Sequence, residues 1–149
     1  MTNSTSLPAD QLLHVHKEIE IDAPLTVVFE SLLEQLGPGF DTPDGKLMPF
    51  KLEAWPGGRW FRDLGNNSGH LWGFVQVIKP PTLLEITGPL FVSAASVSHI
   101  QYRLTERGNA STHLQLTHRA LGEISLEHRE GVEKGWAHCL ARVKERARR

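Results

Sequence analysis

The chain has 149 residues, 40% apolar and 22% charged, ordinary shares for one globular unit with a sizeable core. Sixteen basic residues against seventeen acidic ones leave a formal net charge of −1, which argues against a nucleic-acid or anionic-membrane partner. Cys139 is the single cysteine, so no internal disulfide can form and a reducing compartment fits.

Residues 1–10 read as a flexible tail without the apolar core of a signal peptide, and residues 11–149 as a single domain. No apolar run approaches the length of a membrane span, so a cytoplasmic protein is expected. From Leu13 the chain alternates, with Leu13, Val15, Ile19 and Ile21 on one face and His14, His16, Glu18 and Glu20 on the other, the pattern of a half-buried strand. Lys17 falls on the apolar face, a local anomaly. Asp22-Ala-Pro24 predicts a helix start with an acidic cap and a proline in the first turn. Leu25, Val28, Phe29, Leu32 and Leu36 then recur at helical spacing, and Gly37-Pro38-Gly39 ends the helix. Residues 40–46 are turn chemistry.

Strands follow in quick succession, predicted over Leu47–Trp55, Arg59–Leu64, His70–Ile78, Thr82–Thr87, Val97–Thr105 and Ser111–Arg119. Each is separated from the next by a turn signal such as Pro56-Gly57-Gly58 or Pro80-Pro81. Connections this short force antiparallel neighbours. A long helix from about Ser125 to Arg146 closes the chain, with Val132, Trp136, Leu140 and Val143 as its apolar stripe. Gly131 and Gly135 each weaken that helix by about 1 kcal/mol relative to alanine, which predicts close approach to the sheet or a bend. The basic last turn, from Arg142 to Arg149, complements the negative end of the helix dipole.

The order of elements is strand, helix, six antiparallel strands, long helix. A seven-stranded sheet with one apolar face needs a cover, and the last helix supplies it. A sheet curved around that helix leaves a cavity between them.

Five motifs carry a family resemblance. They are Ile19 to Pro24 (IEIDAP) followed by Val28-Phe29, Trp55 to Trp60 (WPGGRW), Gly73 to Pro81 (GFVQVIKPP), Leu114 to Arg119 (LQLTHR) and Gly135-Trp136. In this order they cover residues 13–146, and the chain resembles the SRPBCC superfamily of START-like, polyketide cyclase and Bet v 1-like helix-grip proteins. Within it the chain is most similar to the branch homologous to the C-terminal domain of the activator of heat-shock protein 90 ATPase. The resemblance implies an α+β helix-grip fold, a curved seven-stranded antiparallel sheet around a long C-terminal helix with a short helix after strand 1. It also implies binding of a small hydrophobic molecule, such as a lipid or polyketide-like compound, in the cavity between sheet and helix. The same fold hosts cyclases, hydrolases and chaperone-activating domains, so fold alone does not choose among them. Many relatives carry a tryptophan-rich short helix after the first long helix. Here that stretch is Gly37 to Gly45 (GPGFDTPDG), so ligand identity does not transfer.

Candidate cavity residues are Phe29, Phe40, Trp60, Trp72, Phe74, Tyr102, His118, Trp136 and Leu140. Each aromatic serves equally as cavity wall or as core. If Trp60, Trp72 and Trp136 all point inward and touch, the cavity is collapsed and a protein partner becomes the better reading. His118 shares a face with Leu114 and Leu116; it is either a buried histidine with a hydrogen-bond partner or a polar group inside the cavity. His113 lies on the opposite face, and His70 and His99 read as surface. His14 and His16 have usable ligand spacing but no completing Cys, Asp or Glu, so no metal is expected. Cys139 reads as a small buried hydrophobe. No nucleophile elbow, phosphate loop or dinucleotide fingerprint occurs, so no cofactor and no catalytic residue is assigned. Both a monomer and a homodimer are compatible with the sequence.

Overall fold

The computed structural model describes residue 8 and residues 11–90, 93–108 and 110–148; the expected tail therefore lies almost wholly outside the described residues. The elements are β1 (Leu12–Ile21), α1 (Leu25–Leu36), β2 (Lys51–Leu52), β3 (Arg59–Gly65), β4 (Ser68–Lys79), β5 (Leu83–Gly88), β6 (Ser96–Arg107), β7 (Ser111–Gly122) and α2 (Leu126–Ala147). The seven strands form one curved sheet in the order β1-β7-β6-β5-β4-β3-β2, with every neighbouring pair antiparallel.

Alternation along the strands sends Val15, Leu84, Ile86, Ile100, Tyr102, Leu114 and Leu116 to one face, where all are buried. Val132, Trp136, Leu140 and Val143 of α2 are buried with them in a single core. Ser125 caps α2 by accepting a hydrogen bond from the His128 amide at 3.0 Å, and Lys144 and Arg146 occupy its last turn. The Lys17 anomaly is resolved by the same helix. Its ammonium reaches past the edge of the core to the Glu133 carboxylate on α2 at 2.9 Å.

Two local expectations are corrected. The N-cap of α1 is Pro24 itself, at φ −65°, and Asp22 makes no capping bond; the proline ring presets the helical entry without a side-chain acceptor. The strand expected over Leu47–Trp55 shrinks to Lys51–Leu52. Pro49 has no N–H to give to a ladder, and the backbone before it folds back instead. The Met48 amide donates to the Phe40 carbonyl at 2.8 Å, and that of Phe50 to the Gly37 carbonyl at 2.9 Å.

A bulge in β4 decides which aromatic faces inward. Leu71 pairs with Phe61 and Gly73 pairs with Trp60, so Trp72 is an extra residue with no partner position on β3. One added residue reverses the alternation. Trp72 turns into the core, while Phe74, two residues on, lies on the outer face and is 46% exposed. Phe74 is therefore no cavity residue. The bulge needs glycine: a Cβ on Gly73 would sit 2.7 Å from Ile86 Cγ2, and one on Gly88 would sit 2.4 Å from Gly73 Cα. Phe74→Thr, which keeps a good strand former on an exposed face, is expected to change stability by less than about 0.5 kcal/mol in thermal denaturation. A loss well above that would mean that Phe74 is covered in solution.

No helix among the described residues is long and apolar enough to cross a membrane.

Candidate functional site

A cavity of about 250 Å³ opens between the α1–β2 loop, the inner face of the sheet and α2. Phe40, Asp41, Thr42, Pro43 and Met48 form its outer wall, and Trp72 faces it from β4. Gly131, Val132, Gly135, Trp136 and Cys139 form its helix side, and Gln35 of α1 closes one corner. Most of this lining is apolar.

The aromatics expected at the cavity separate into two groups. Phe40, Phe50, Trp60 and Trp72 form one cluster, with Trp60 and Trp72 edge to face at 5.1 Å between ring centroids. Trp60 is fully buried behind it, and its indole donates to the Leu36 carbonyl at 2.6 Å, tying β3 to the end of α1. Tyr102, His118 and Trp136 form the second cluster, with Trp136 edge to face on both other rings. Trp72 and Trp136 both line the cavity, one from each cluster, so the space lies between the two groups and is not filled by them. Of the nine expected residues, Phe40, Trp72 and Trp136 line it. Phe29, Trp60, Tyr102, His118 and Leu140 are buried core outside its lining.

His118 is fully buried with both ring nitrogens occupied. Nδ1 accepts from the Trp136 indole N–H at 2.9 Å, so Nε2 carries the proton and donates to Ser98 Oγ, also at 2.9 Å. Burial first, and the charge of His128 second, push its pKa down to about 4. His118 is thus a neutral fixture that orients Trp136. Tyr102 sits 3.8 Å from the Cys139 sulfur, and burial holds its hydroxyl well above the ordinary pKa. Burial likewise pushes the Cys139 thiol up to about 12, which keeps it protonated and poorly nucleophilic at neutral pH.

The rim carries a polar network that sequence reasoning did not assemble. Asp41 Oδ1 accepts from Gln35 Nε2 and from His138 Nε2, each at 2.8 Å, and Oδ2 accepts from Arg142 Nε at 3.0 Å. Arg146 donates to the Gln35 side-chain oxygen and to the Gly39 carbonyl, both at 2.8 Å. Burial works to raise the Asp41 pKa, but the bonds from Gln35 and His138 and the Arg142 charge outweigh it, so the carboxyl is held below its usual range. The network clamps the outer wall onto α1 and α2. One signal was legible: Gln35 falls on the buried side of α1 between Leu32 and Leu36 and is only 1% exposed.

The two glycines of α2 correct another expectation. A Cβ at Gly131 or Gly135 would meet nothing within 4 Å. Their missing side chains do not admit a neighbouring backbone. They leave a groove in the helix that forms part of the cavity.

A curved antiparallel sheet gripping a long helix, with an apolar cavity under a loop, defines an α+β helix-grip protein. The chain belongs to the family described as Activator of Hsp90 ATPase homolog 1-like protein, whose model matches residues 22–148. No curated protein matches the sequence significantly. Among solved structures, the chain is similar to the conserved protein of unknown function EF2215 from Enterococcus faecalis, at 18% identity and TM-score 0.64. That match covers 91% of this chain and 71% of that one. It is also similar to the self-sacrificing resistance protein CalC from Micromonospora echinospora, at 17% identity and TM-score 0.64, covering 93% and 94% of the two chains. The di-domain ARO/CYC BexL from the BE-7585A biosynthetic pathway matches at 15% identity and TM-score 0.65, over 93% of this chain and 50% of that one. At these identities the likenesses show the fold.

Proposed function

We propose that this protein binds a small hydrophobic molecule in the cavity between the α1–β2 loop, Trp72 and α2, as a binding module and not as an enzyme. The observation that carries this reading is the pair Gly131 and Gly135. A long helix keeps two residues of poor helix propensity where a larger side chain would meet no steric objection, and the space they leave is cavity. Stability alone favours alanine at both positions; a bound molecule favours the gap. Family membership and a cyclase-type neighbour are in keeping with an apolar ligand.

A cyclase-like reaction needs a group able to move a proton within reach of the ligand. His118 and Tyr102, the two buried polar groups the sequence offers, lie outside the cavity lining, and both nitrogens of His118 are engaged. The His138–Asp41 pair serves the loop clamp; His138 is outside the lining, and Asp41, which lines the cavity, is held below the usual carboxyl range by its partners and so makes a weak base. These placements favour binding over catalysis. A cytoplasmic location fits the reading.

Native mass spectrometry of the purified protein, followed by denaturing extraction, tests it. A retained apolar molecule that raises the melting temperature on adding back is the expected result; at 100 times its Kd, such a ligand stabilises by about 2.7 kcal/mol. An empty protein that no member of a lipophilic panel stabilises would overturn the proposal.

A further inference from the structure

We infer that the molecule bound here carries a hydroxyl group on a compact apolar body about two fused rings in size, and that this hydroxyl docks between Gln35 and Asp41. The inference rests on the cavity being a ligand site.

The amide of Gln35 has a determined orientation. The Arg146 guanidinium can only donate and the Asp41 carboxylate can only accept, so the Gln35 oxygen faces Arg146 and its nitrogen faces Asp41. The nitrogen carries two hydrogens, of which one goes to Asp41. Among the described residues the second has no acceptor, although Gln35 is 1% exposed and lines the cavity. Asp41 has a complementary vacancy. A carboxylate offers about four acceptor positions. Oδ1 accepts two bonds, from Gln35 and His138, whereas Oδ2 accepts one, from Arg142. Thr42 does not compete, because its hydroxyl is engaged with Asp44 and the Lys46 backbone.

Gln35 and Asp41 are bonded to each other and both line the cavity, so a spare donor and a spare acceptor are offered side by side in mostly apolar surroundings. A hydroxyl accepts from the first and donates to the second. A carboxylate has no hydrogen to give to Asp41 and would set two acceptors against each other, and a plain hydrocarbon would leave both groups unanswered, which costs affinity wherever water is excluded. Size follows from volume. An apolar cavity of about 150 Å³ takes up benzene, so about 250 Å³ holds roughly one further ring.

Isothermal titration with naphthalene, 2-naphthol and 2-naphthoate decides the matter. The expected order has 2-naphthol about tenfold tighter than naphthalene, with 2-naphthoate weakest. Asp41→Asn is expected to raise 2-naphthoate affinity relative to naphthalene, with both ligands measured on the same variant so that any loosening of the cavity wall cancels in the ratio. Naphthalene binding as tightly as 2-naphthol, or 2-naphthoate binding tightest, would overturn the hydroxyl assignment while the cavity stands as a binding site. If none of the three binds the wild-type protein, this inference fails, and the native mass spectrometry and lipophilic panel decide separately whether the cavity holds any ligand.

Discussion

Between pH 6.5 and about 4 the protein is expected to lose about 3 kcal/mol of folding stability through His118 alone. The unfolded chain takes up a proton at this imidazole near pH 6.5, whereas the folded chain resists it until about pH 4. The unfolded state therefore binds more protons across that window, and stability falls as pH falls. Above pH 6.5 the contribution is fully present; below about 4 it is gone. Burial is the main cause and the His128 charge the second, and the geometry agrees with them, because Nδ1 is already the acceptor for the Trp136 indole. A proton there would set two donors against each other at a fully buried position. Because Trp136 lines the cavity, acid is expected to loosen the ligand site before the whole sheet unfolds. Urea unfolding of the wild type and of His118→Gln, at steps from pH 7 to 4, checks this. Glutamine keeps an acceptor and a donor but does not titrate, so its profile should be flatter by the stated amount. Parallel profiles would remove His118 from the account.

The double variant Gly131→Ala/Gly135→Ala is expected to be more stable than the parent by about 2 kcal/mol, about 1 kcal/mol from each position. For a chain of this length that corresponds to a rise of roughly 4–8 °C in melting temperature. Both residues lie in the interior of α2, neither has a positive φ, and an added methyl meets no atom within 4 Å. Both positions line the cavity, so added methyls are expected to take space from the ligand, and retention of the apolar molecule should fall as stability rises. Differential scanning fluorimetry beside native mass spectrometry reads both quantities from one preparation. A variant that is stabilised and binds undiminished would show that the glycines do not serve the cavity. A destabilised one would show that the helix groove is closed in solution.

The fold was legible because its signals are local and repeated. Period-two runs bounded by glycine, proline and asparagine mark β3 to β7 within a few residues, and a 3.6-residue stripe marks both helices. Short turns allow only antiparallel neighbours, so the strand order β1-β7-β6-β5-β4-β3-β2 needs only one long-range pairing, that of β1 with β7. The burial of Trp60, Tyr102, His118, Trp136 and Leu140 follows from the same periodicity.

What periodicity does not contain is any break in periodicity. The bulge at Trp72 exists because Gly73 and Gly88 let two backbones approach, and that approach depends on residues 15 positions apart. It turned Phe74 outward, against the alternation. Pro49 similarly cut a nine-residue expectation to a two-residue strand.

The amino-acid sequence by itself, through periodicity and family resemblance, determined a helix-grip fold, an aromatic set that faces inward except at Phe74, and a buried, hydrogen-bonded His118 as one of two readings. Only the tertiary structure decided that Asp41 meets Gln35, His138 and Arg142, that the two tryptophan clusters stand apart, and that Gly131 and Gly135 face empty space. The physical reason is that each of these is a relation between elements distant along the chain. Propensity and pattern say which face of an element is apolar; they do not say which side chain on another element will arrive opposite it, or whether any will.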